Sequence, residues 1–343
     1  MSDPSSHLFE HNNIIVDPKQ SPLRLDLFLT SRLAVVSRTR IQQGIRLGYI
    51  VVNDKRVKPS HVIKPGEEIR VLLPTPPRKS SVLPEAIPLD IVYEDDHLLV
   101  VNKAAEMVVH PGYGNWEHTL VNALVHHLET LPCKPGEEFR PGLVHRLDKG
   151  TSGLLVVAKS EIGLQSLTKQ FLERSIQRQY RALVWGDLVA DEGTIDKPID
   201  RSLSDRRIMT ICENEQGKHS VTHYSVLERF GYATLIACRL ETGRTHQIRV
   251  HMQSLGHPLF GDIAYGGQRI VKGQSFSSYR GFVQNCFTLL PHQALHAYSL
   301  GFLHPTTKEN IYLEAPLPPN FAKIIERWRR YTKCDNTGGH SRR

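Results

Sequence analysis

The 343-residue chain is poor in cysteine, long apolar runs and familiar cofactor signatures, and each shortage excludes something. Its five cysteines, at 133, 212, 238, 286 and 334, form no CxxC pair. An odd, scattered set in a chain of this length points to reduced cytoplasmic thiols, against a disulfide framework or a zinc site. The longest apolar stretches, such as Gly153 to Ala158, are strand-sized and far short of the ~18 residues of a membrane span. The polar start, Met1 to Glu10, has no basic segment leading into an apolar run, so no secretory signal is expected. There is no GxxxxGKS/T phosphate loop, no GxGxxG, no HExxH and no GxSxG. Among 18 histidines, His246/His251 and His126/His127 have poor spacing for one helix face. No Cys or carboxylate joins them, so a metal site is not expected.

What is present is enough apolar material, 40% of residues, to bury real cores, and a length that suits about two domains. The net charge of +8 suggests an acidic partner, and its distribution says more. Residues 1–80 carry 13 Lys/Arg against 7 Asp/Glu, and residues 317–343 carry 7 against 2. The middle of the chain is therefore slightly acidic.

Pro74, Pro76, Pro77, Pro84 and Pro88 mark a semi-rigid linker over 74–88, and the first ten or so residues and Asn336 to Arg343 look like disordered tails. Ahead of the linker, Leu25, Leu29 and Leu33 recur at helical spacing. Ser37 is a plausible N-cap for a second helix, Arg38 to Leu47, which Gly48 would end. Strands around Ile50, Val52 and Val57 flank a turn Asn53-Asp54-Lys55, and another strand runs Glu68 to Leu73. Arg38, Arg40 and Arg46 on the helix would by themselves be a solvated basic face. With Lys55 and Arg56 on the hairpin they favour phosphate binding, and these five are the candidate RNA-docking residues. Arg24-Leu25-Asp26, Ser37-Arg38 and Gly48-Tyr49-Ile50-Val51-Val52-Asn53 followed by Val57 resemble the small RNA-binding domain named after ribosomal small-subunit protein four. That likeness covers residues 22–73.

Downstream, short strands predominate: Ile91 to Tyr93, Leu98 to Asn102, Gly153 to Ala158, Tyr180 to Val184, Val221 to Glu228, Thr234 to Glu241, Ala294 to Phe302 and Asn310 to Glu314. Helices are expected at Thr119 to Leu128, after Ser160, at His246 to Leu255 and at Phe321 to Arg330. The fold class is thus α+β, a mixed and largely antiparallel sheet over 89–316, with a small α/β domain before it and a basic C-terminal helix over 317–335.

Two stretches concentrate polar chemistry. Pro141 to Gly153 sets His145, Arg146, Asp148 and Lys149 just before a buried strand; a plain turn capped by Asp148 would look similar. Leu240 to His251 crowds Arg244, Thr245, His246, Gln247 and Arg249 at a strand-to-helix junction; a basic surface turn would too. A carboxylate working inside a cleft needs a fixed cation, which an arginine supplies.

His145-Arg146-Leu147-Asp148 with Thr151-Ser152-Gly153-Leu154 resembles the signature of the large-subunit ribosomal RNA pseudouridine synthases. Tyr180 in Arg178-Gln179-Tyr180-Arg181-Ala182, Thr242 to His251, Gly256-His257-Pro258 with Gly261-Asp262, and Ala294-Leu295-His296-Ala297 with His304-Pro305 extend the likeness over about 90–316. One turn departs: where the family has Lys-Pro-x-Gly, this chain has Lys103-Ala104-Ala105-Glu106, losing both the proline and the glycine. The resemblance implies isomerisation of uridine to pseudouridine in ribosomal RNA by a monomeric cytoplasmic enzyme without cofactor. It implies Asp148 as essential carboxylate, Arg249 as its ion-pair partner and Tyr180 as the residue stacking on the detached uracil. Asp148 would either attack the anomeric carbon or take the ribose 2′ proton. The resemblance further implies that Arg146 could occupy the space left by the flipped base, with His145, Arg244, His246 and Gln247 as the other substrate-binding candidates. The rivals are an inactive RNA-binding assembly factor on the same scaffold and a metal-dependent nuclease.

Overall fold

The computed structural model describes residues 8–33, 36–73, 82–112, 114–128, 130–202, 204–212 and 217–338. The chain divides into two units, Met1–Ser80 and Ser81–Arg343. Of the expected linker, residues 74–81 lie outside the described residues, as do 1–7 and 339–343 of the expected tails.

The N-terminal unit runs β1 (Phe9–Ile15), α1 (Leu25–Arg32), α2 (Arg38–Leu47), β2 (Ile50–Val52), β3 (Lys55–Arg56) and β4 (Glu68–Leu73). Its strands make one antiparallel sheet in the order β1-β4-β2-β3. β1 corrects the expectation of a disordered start, for Phe9 and Glu10 already pair with Leu73 and Leu72. Its polar Glu10-His11-Asn12-Asn13 run has no apolar alternation, so only the partner strand reveals it. α2 has the predicted limits, and Gly48 ends it in the left-handed region at φ 78°. Ser37 holds the N-cap position by backbone alone, without a side-chain hydrogen bond. Asn53 and Asp54, at φ 47° and 60°, make a two-residue turn that fits the hairpin's twist, so Lys55 already belongs to β3. The helices close on the sheet through Leu25, Phe28, Leu29, Ile41, Ile45, Ile63 and Ile69.

The second unit contains β5 (Ile91–Glu94), β6 (Leu98–Lys103), α3 (Leu120–His127), β7 (Ser152–Ala158), α4 (Glu161–Leu172), β8 (Gln177–Trp185), β9 (Glu192–Asp196), β10 (Ile199–Arg201) and β11 (Met209–Ile211). It continues with β12 (Val221–Arg229), β13 (Ala233–Leu240), α5 (Gln247–Ser254), α6 (Ser277–Leu289), β14 (Leu295–Leu303), β15 (Asn310–Glu314) and α7 (Pro319–Gly338). Nine strands form one sheet in the order β5-β6-β7-β14-β8-β13-β12-β9, with β15 beside β14, while β10 and β11 pair separately. Among the described residues only β7 and β14 run parallel in it, so the sheet is mixed and largely antiparallel.

β7 is buried on both faces, which explains its unbroken apolar run. Leu155 and Val157 pack with Leu120 and Leu124 of α3, while Leu154, Val156 and Ala158 pack with Leu164 and Leu167 of α4. Ser160 caps α4 by accepting from the Gly163 N–H at 3.1 Å. Residues 82–88 lie along α3: the buried Asn122 donates to the Leu83 carbonyl at 2.8 Å, and its own carbonyl accepts from Glu85. α6 and α7 pack Tyr279, Val283, Phe287, Phe321, Ile324 and Trp328 around Trp185 and Phe260. The basic C-terminal segment thus contributes an apolar face to this core, and Arg329 pairs with Glu228 at 2.7 Å. No described helix is long and apolar enough to cross a membrane.

Candidate active site

The loop that carries Asp148 is fixed from three directions. A turn closes where the Thr151 N–H donates to the Asp148 carbonyl at 3.0 Å. From β14, His296 Nδ1 and Ser152 Oγ lie 2.9 Å apart, and just before that strand Gln293 donates to Thr151 Oγ1 at 3.1 Å. From β6, the buried Lys103 ammonium donates to the carbonyls of Ala104, Met107 and Lys149 at 2.7, 2.9 and 3.3 Å. Burial pulls the Lys103 pKa down to about 7, against the opposing charges of Asp148 and Glu106. In the turn after Lys103, Glu106 stands where the family pattern has glycine and adopts the left-handed φ of 69°. Gly153 is needed where it stands, at φ 109°, because a Cβ there would lie 2.2 Å from the Ala297 carbonyl oxygen on the parallel neighbour strand.

Opposite, α5 begins at His246, which takes a left-handed φ of 56°, and presents Arg249. The guanidinium is bidentate on the fully buried Asp262, with Nε to Oδ2 at 2.7 Å and Nη2 to Oδ1 at 2.9 Å. Its remaining Nη1 donates to Asp148 Oδ2 at 3.0 Å. Burial works against the Arg249 charge, yet the bonds and charge of Asp262, joined by Asp148, raise its pKa above the ordinary arginine value. The Tyr265 ring packs against the same guanidinium at 4.8 Å, and the Tyr265 hydroxyl is 2.8 Å from His246 Nδ1. Asp262 therefore aims Arg249, and Arg249 aims Asp148. Among the described residues no hydrogen bond occupies Asp148 Oδ1.

Asp148, His246 and Arg249 border a cleft of about 400 Å³, lined also by His145, Arg146, Leu147, Phe171, Arg178, Tyr180 and Arg244. Arg146, Asp148, His246 and Arg249 also wall a second cavity of about 600 Å³. Tyr180 is buried in the cleft wall on β8, and burial pushes its hydroxyl pKa up. Arg146 is exposed beside Asp148 and forms no ion pair among the described residues. His246 lies with Nε2 3.8 Å from Asp148 Oδ2, and burial lowers its pKa. Arg244 is exposed, with Nε donating to the His219 carbonyl at 3.2 Å.

Two expected substrate contacts have other work. Gln247 accepts from Thr242 Oγ1 and the Arg244 N–H, and donates to the Val221 carbonyl and Thr222 Oγ1. Its amide is buried and spent on holding the loop. His145 accepts the Val156 N–H at Nε2 (3.0 Å) and stacks on Phe171 at 4.7 Å. Burial, with the nearby Arg178 charge, lowers its pKa to about 3, so the ring is neutral. In the N-terminal unit, Arg40, Arg46, Lys55 and Arg56 are exposed as expected of docking residues. Arg38 instead donates from Nε and Nη2 to the buried Asp26, tying α2 to α1 as Gln42 also does, while Arg24 reaches the same carboxylate from the start of α1. Sequence reasoning missed Asp262, Tyr265 and Lys103. Asp262 stands in a Gly-Asp pair with no signal of its own, and its role appears only once Arg249 is seen beside it.

The chain matches the RNA pseudouridylate synthase family over residues 97–254 and the S4 domain family over 23–69. The uncharacterized RNA pseudouridine synthase YlyB of Bacillus subtilis is 45% identical over 318 residues, 93% of this chain and 98% of its own length. Ribosomal large subunit pseudouridine synthase D of Nitrosomonas europaea is 43% identical over 304 residues, 89% of this chain and 84% of its own. The structure of human RNA pseudouridylate synthase domain containing 1 superposes with a TM-score of 0.50 at 28% identity, over 71% of this chain and 96% of its own.

Proposed function

Since the chain belongs to the RNA pseudouridine synthase family, we propose that it isomerises specific uridines of large-subunit ribosomal RNA, acting as a cytoplasmic monomer. The observation that carries the proposal is the Asp148–Arg249–Asp262 relay, whose Asp148 and Arg249 line the cleft, with Arg249 3.0 Å from Asp148 and 2.7 Å from Asp262. The reaction breaks the N1–C1′ bond, rotates the uracil, forms a C5–C1′ bond and moves the C5 proton away as N1 regains one. The target must first leave its stack, because neither C1′ nor the base faces are accessible inside a helix. In this proposal Asp148 acts on the ribose as nucleophile at C1′ or as base at the 2′ position, both of which require its carboxylate. Arg249 holds that carboxylate in one orientation. Tyr180 would give the detached uracil a flat wall, and Arg146 would fill the gap that the flipped base leaves. The S4 domain supplies sequence-independent docking through Arg40, Arg46, Lys55 and Arg56. Nothing observed favours an inactive scaffold.

The test is incubation with a large-subunit ribosomal RNA transcript in EDTA, followed by carbodiimide treatment and primer extension. New stops are expected with the wild type and none with Asp148→Ala. Absence of wild-type stops on this RNA, with stops on transfer RNA, would reassign the substrate. Strand cleavage abolished by EDTA would favour a nuclease.

A further inference from the structure

One cation in the cleft has no assigned work. Arg178 lies on β8 two residues before Tyr180, hence on the same face of the strand, and lines the cleft with it. Among the described residues it has no carboxylate partner, and its Nε is buried with no hydrogen-bond acceptor. A buried N–H donor without an acceptor is costly, and an anion entering the cleft would relieve that cost. Its position is also built: Arg178 Cζ stands 5.4 Å over the Phe171 ring, which in turn stacks on the neutral His145. On the other side Gly243 leaves room, because a Cβ there would lie 2.9 Å from Arg178 Nη1. Arg174 and Arg244 line the same cleft and are exposed.

Resting on the pseudouridine synthase reading, we propose that Arg178 is a phosphate clamp: it binds one of the two phosphodiesters flanking the target uridine, and so fixes the ribose against Asp148. A guanidinium offers the planar fork that a phosphate takes in two hydrogen bonds, and a stacked aromatic ring holds that fork without competing for its donors. Arg174, Arg178 and Arg244, in addition to Arg146 and Arg249 beside Asp148, suit an anion at this cleft, where a uracil carbonyl would need a single donor. The role is positioning and binding. Gly243 then belongs to the site by what it lacks.

The experiment first locates a uridine that the wild type converts. A synthetic helix-loop bearing it is then made with a neutral methylphosphonate at the 5′ or the 3′ linkage. Arg178→Gln is expected to raise KM about 10-fold with kcat within threefold, and to lower the salt dependence of binding by roughly one phosphate. In the wild type, one of the two methylphosphonates reproduces that loss, and in Arg178→Gln the same substitution costs nothing more. Gly243→Ala, which displaces only the end of the Arg178 side chain, is expected to shift KM the same way with an unchanged melting temperature; it carries the test if Arg178→Gln fails to fold. Unchanged KM in both variants, or losses that add independently of either linkage, would overturn the clamp. Failure of the wild type to convert any uridine would instead overturn the underlying function.

Discussion

At the scale of single residues, Asp262 decides whether Arg249 serves the carboxylate or merely fills space. A guanidinium in a nearly dry site is costly unless every donor has a partner, and Asp262 supplies two of the three contacts, at 2.7 and 2.9 Å. Asp262→Asn keeps the volume but turns one acceptor into a donor aimed at the guanidinium. We expect a loss of about 3–5 kcal/mol in stability, the usual cost of breaking a buried pair from one side. We also expect single-turnover rates to fall while RNA affinity in filter binding stays near wild type. A cycle with Arg249→Gln should be strongly non-additive, because both changes break one relay. Equal, additive losses would show two independent contacts. Asp148 and Arg249 stand out in the sequence through the company they keep. Their 3.0 Å contact across 101 residues does not, and neither does Asp262.

At the scale of elements, legibility followed local pattern. α2, β4 and β15 occur at their expected limits because capping glycine, apolar spacing and turn residues coincide there. α6 escaped notice although Tyr279, Val283, Cys286 and Phe287 form an apolar face, since its N-terminus has no side-chain cap and it follows a turn-rich stretch. β9, β10 and β11 are three to five residues long and defined by their partners. The parallel seam between β7 and β14 was equally hidden, yet it positions the Asp148 loop. Gly153→Ala tests that seam. With φ at 109° and a Cβ 2.2 Å from the Ala297 oxygen, the strands must separate, at a cost of about 3 kcal/mol or more. Chemical denaturation should show that loss together with reduced conversion; a neutral Ala would mean the two strands are not held as described.

At the scale of the whole molecule, charge and protons distribute unevenly between the units. The net +8 is concentrated at the ends of the sequence, yet Lys323, Arg327, Arg329, Arg330 and Lys333 of the C-terminal share sit on a helix whose apolar face is core and whose Arg329 is paired. The N-terminal unit therefore carries the docking claim. Deleting residues 1–80 should weaken RNA affinity and flatten its salt dependence, while conversion of a saturating minimal substrate survives; unchanged affinity and slope would contradict it. Proton linkage separates the units as well. In the second unit burial lowers His110 to about 4 and His145 to about 3 from 6.5, and lowers His246, His251 and His296. Between 6.5 and those values the unfolded chain binds protons that the folded chain refuses, so stability falls as pH drops through that window. Asp26 in the first unit is lowered from 3.8, chiefly by its hydrogen bond from Arg24, so its contribution persists above 3.8 and is lost only below. Thermal melts from pH 7 to 5 should thus lower the transition of the deletion variant, residues 81–343, and a flat profile would contradict the buried neutral histidines. The central claim, that Asp148 performs the chemistry, is tested most directly by tritium release. Pseudouridine formation expels the hydrogen at C5, so RNA labelled with [5-³H]uridine reports turnover without mapping. Wild-type protein should release tritium, and Asp148→Asn, with RNA affinity and melting temperature preserved, should release it about 10²–10⁴-fold more slowly. Release by Asp148→Asn at the wild-type rate would contradict the account.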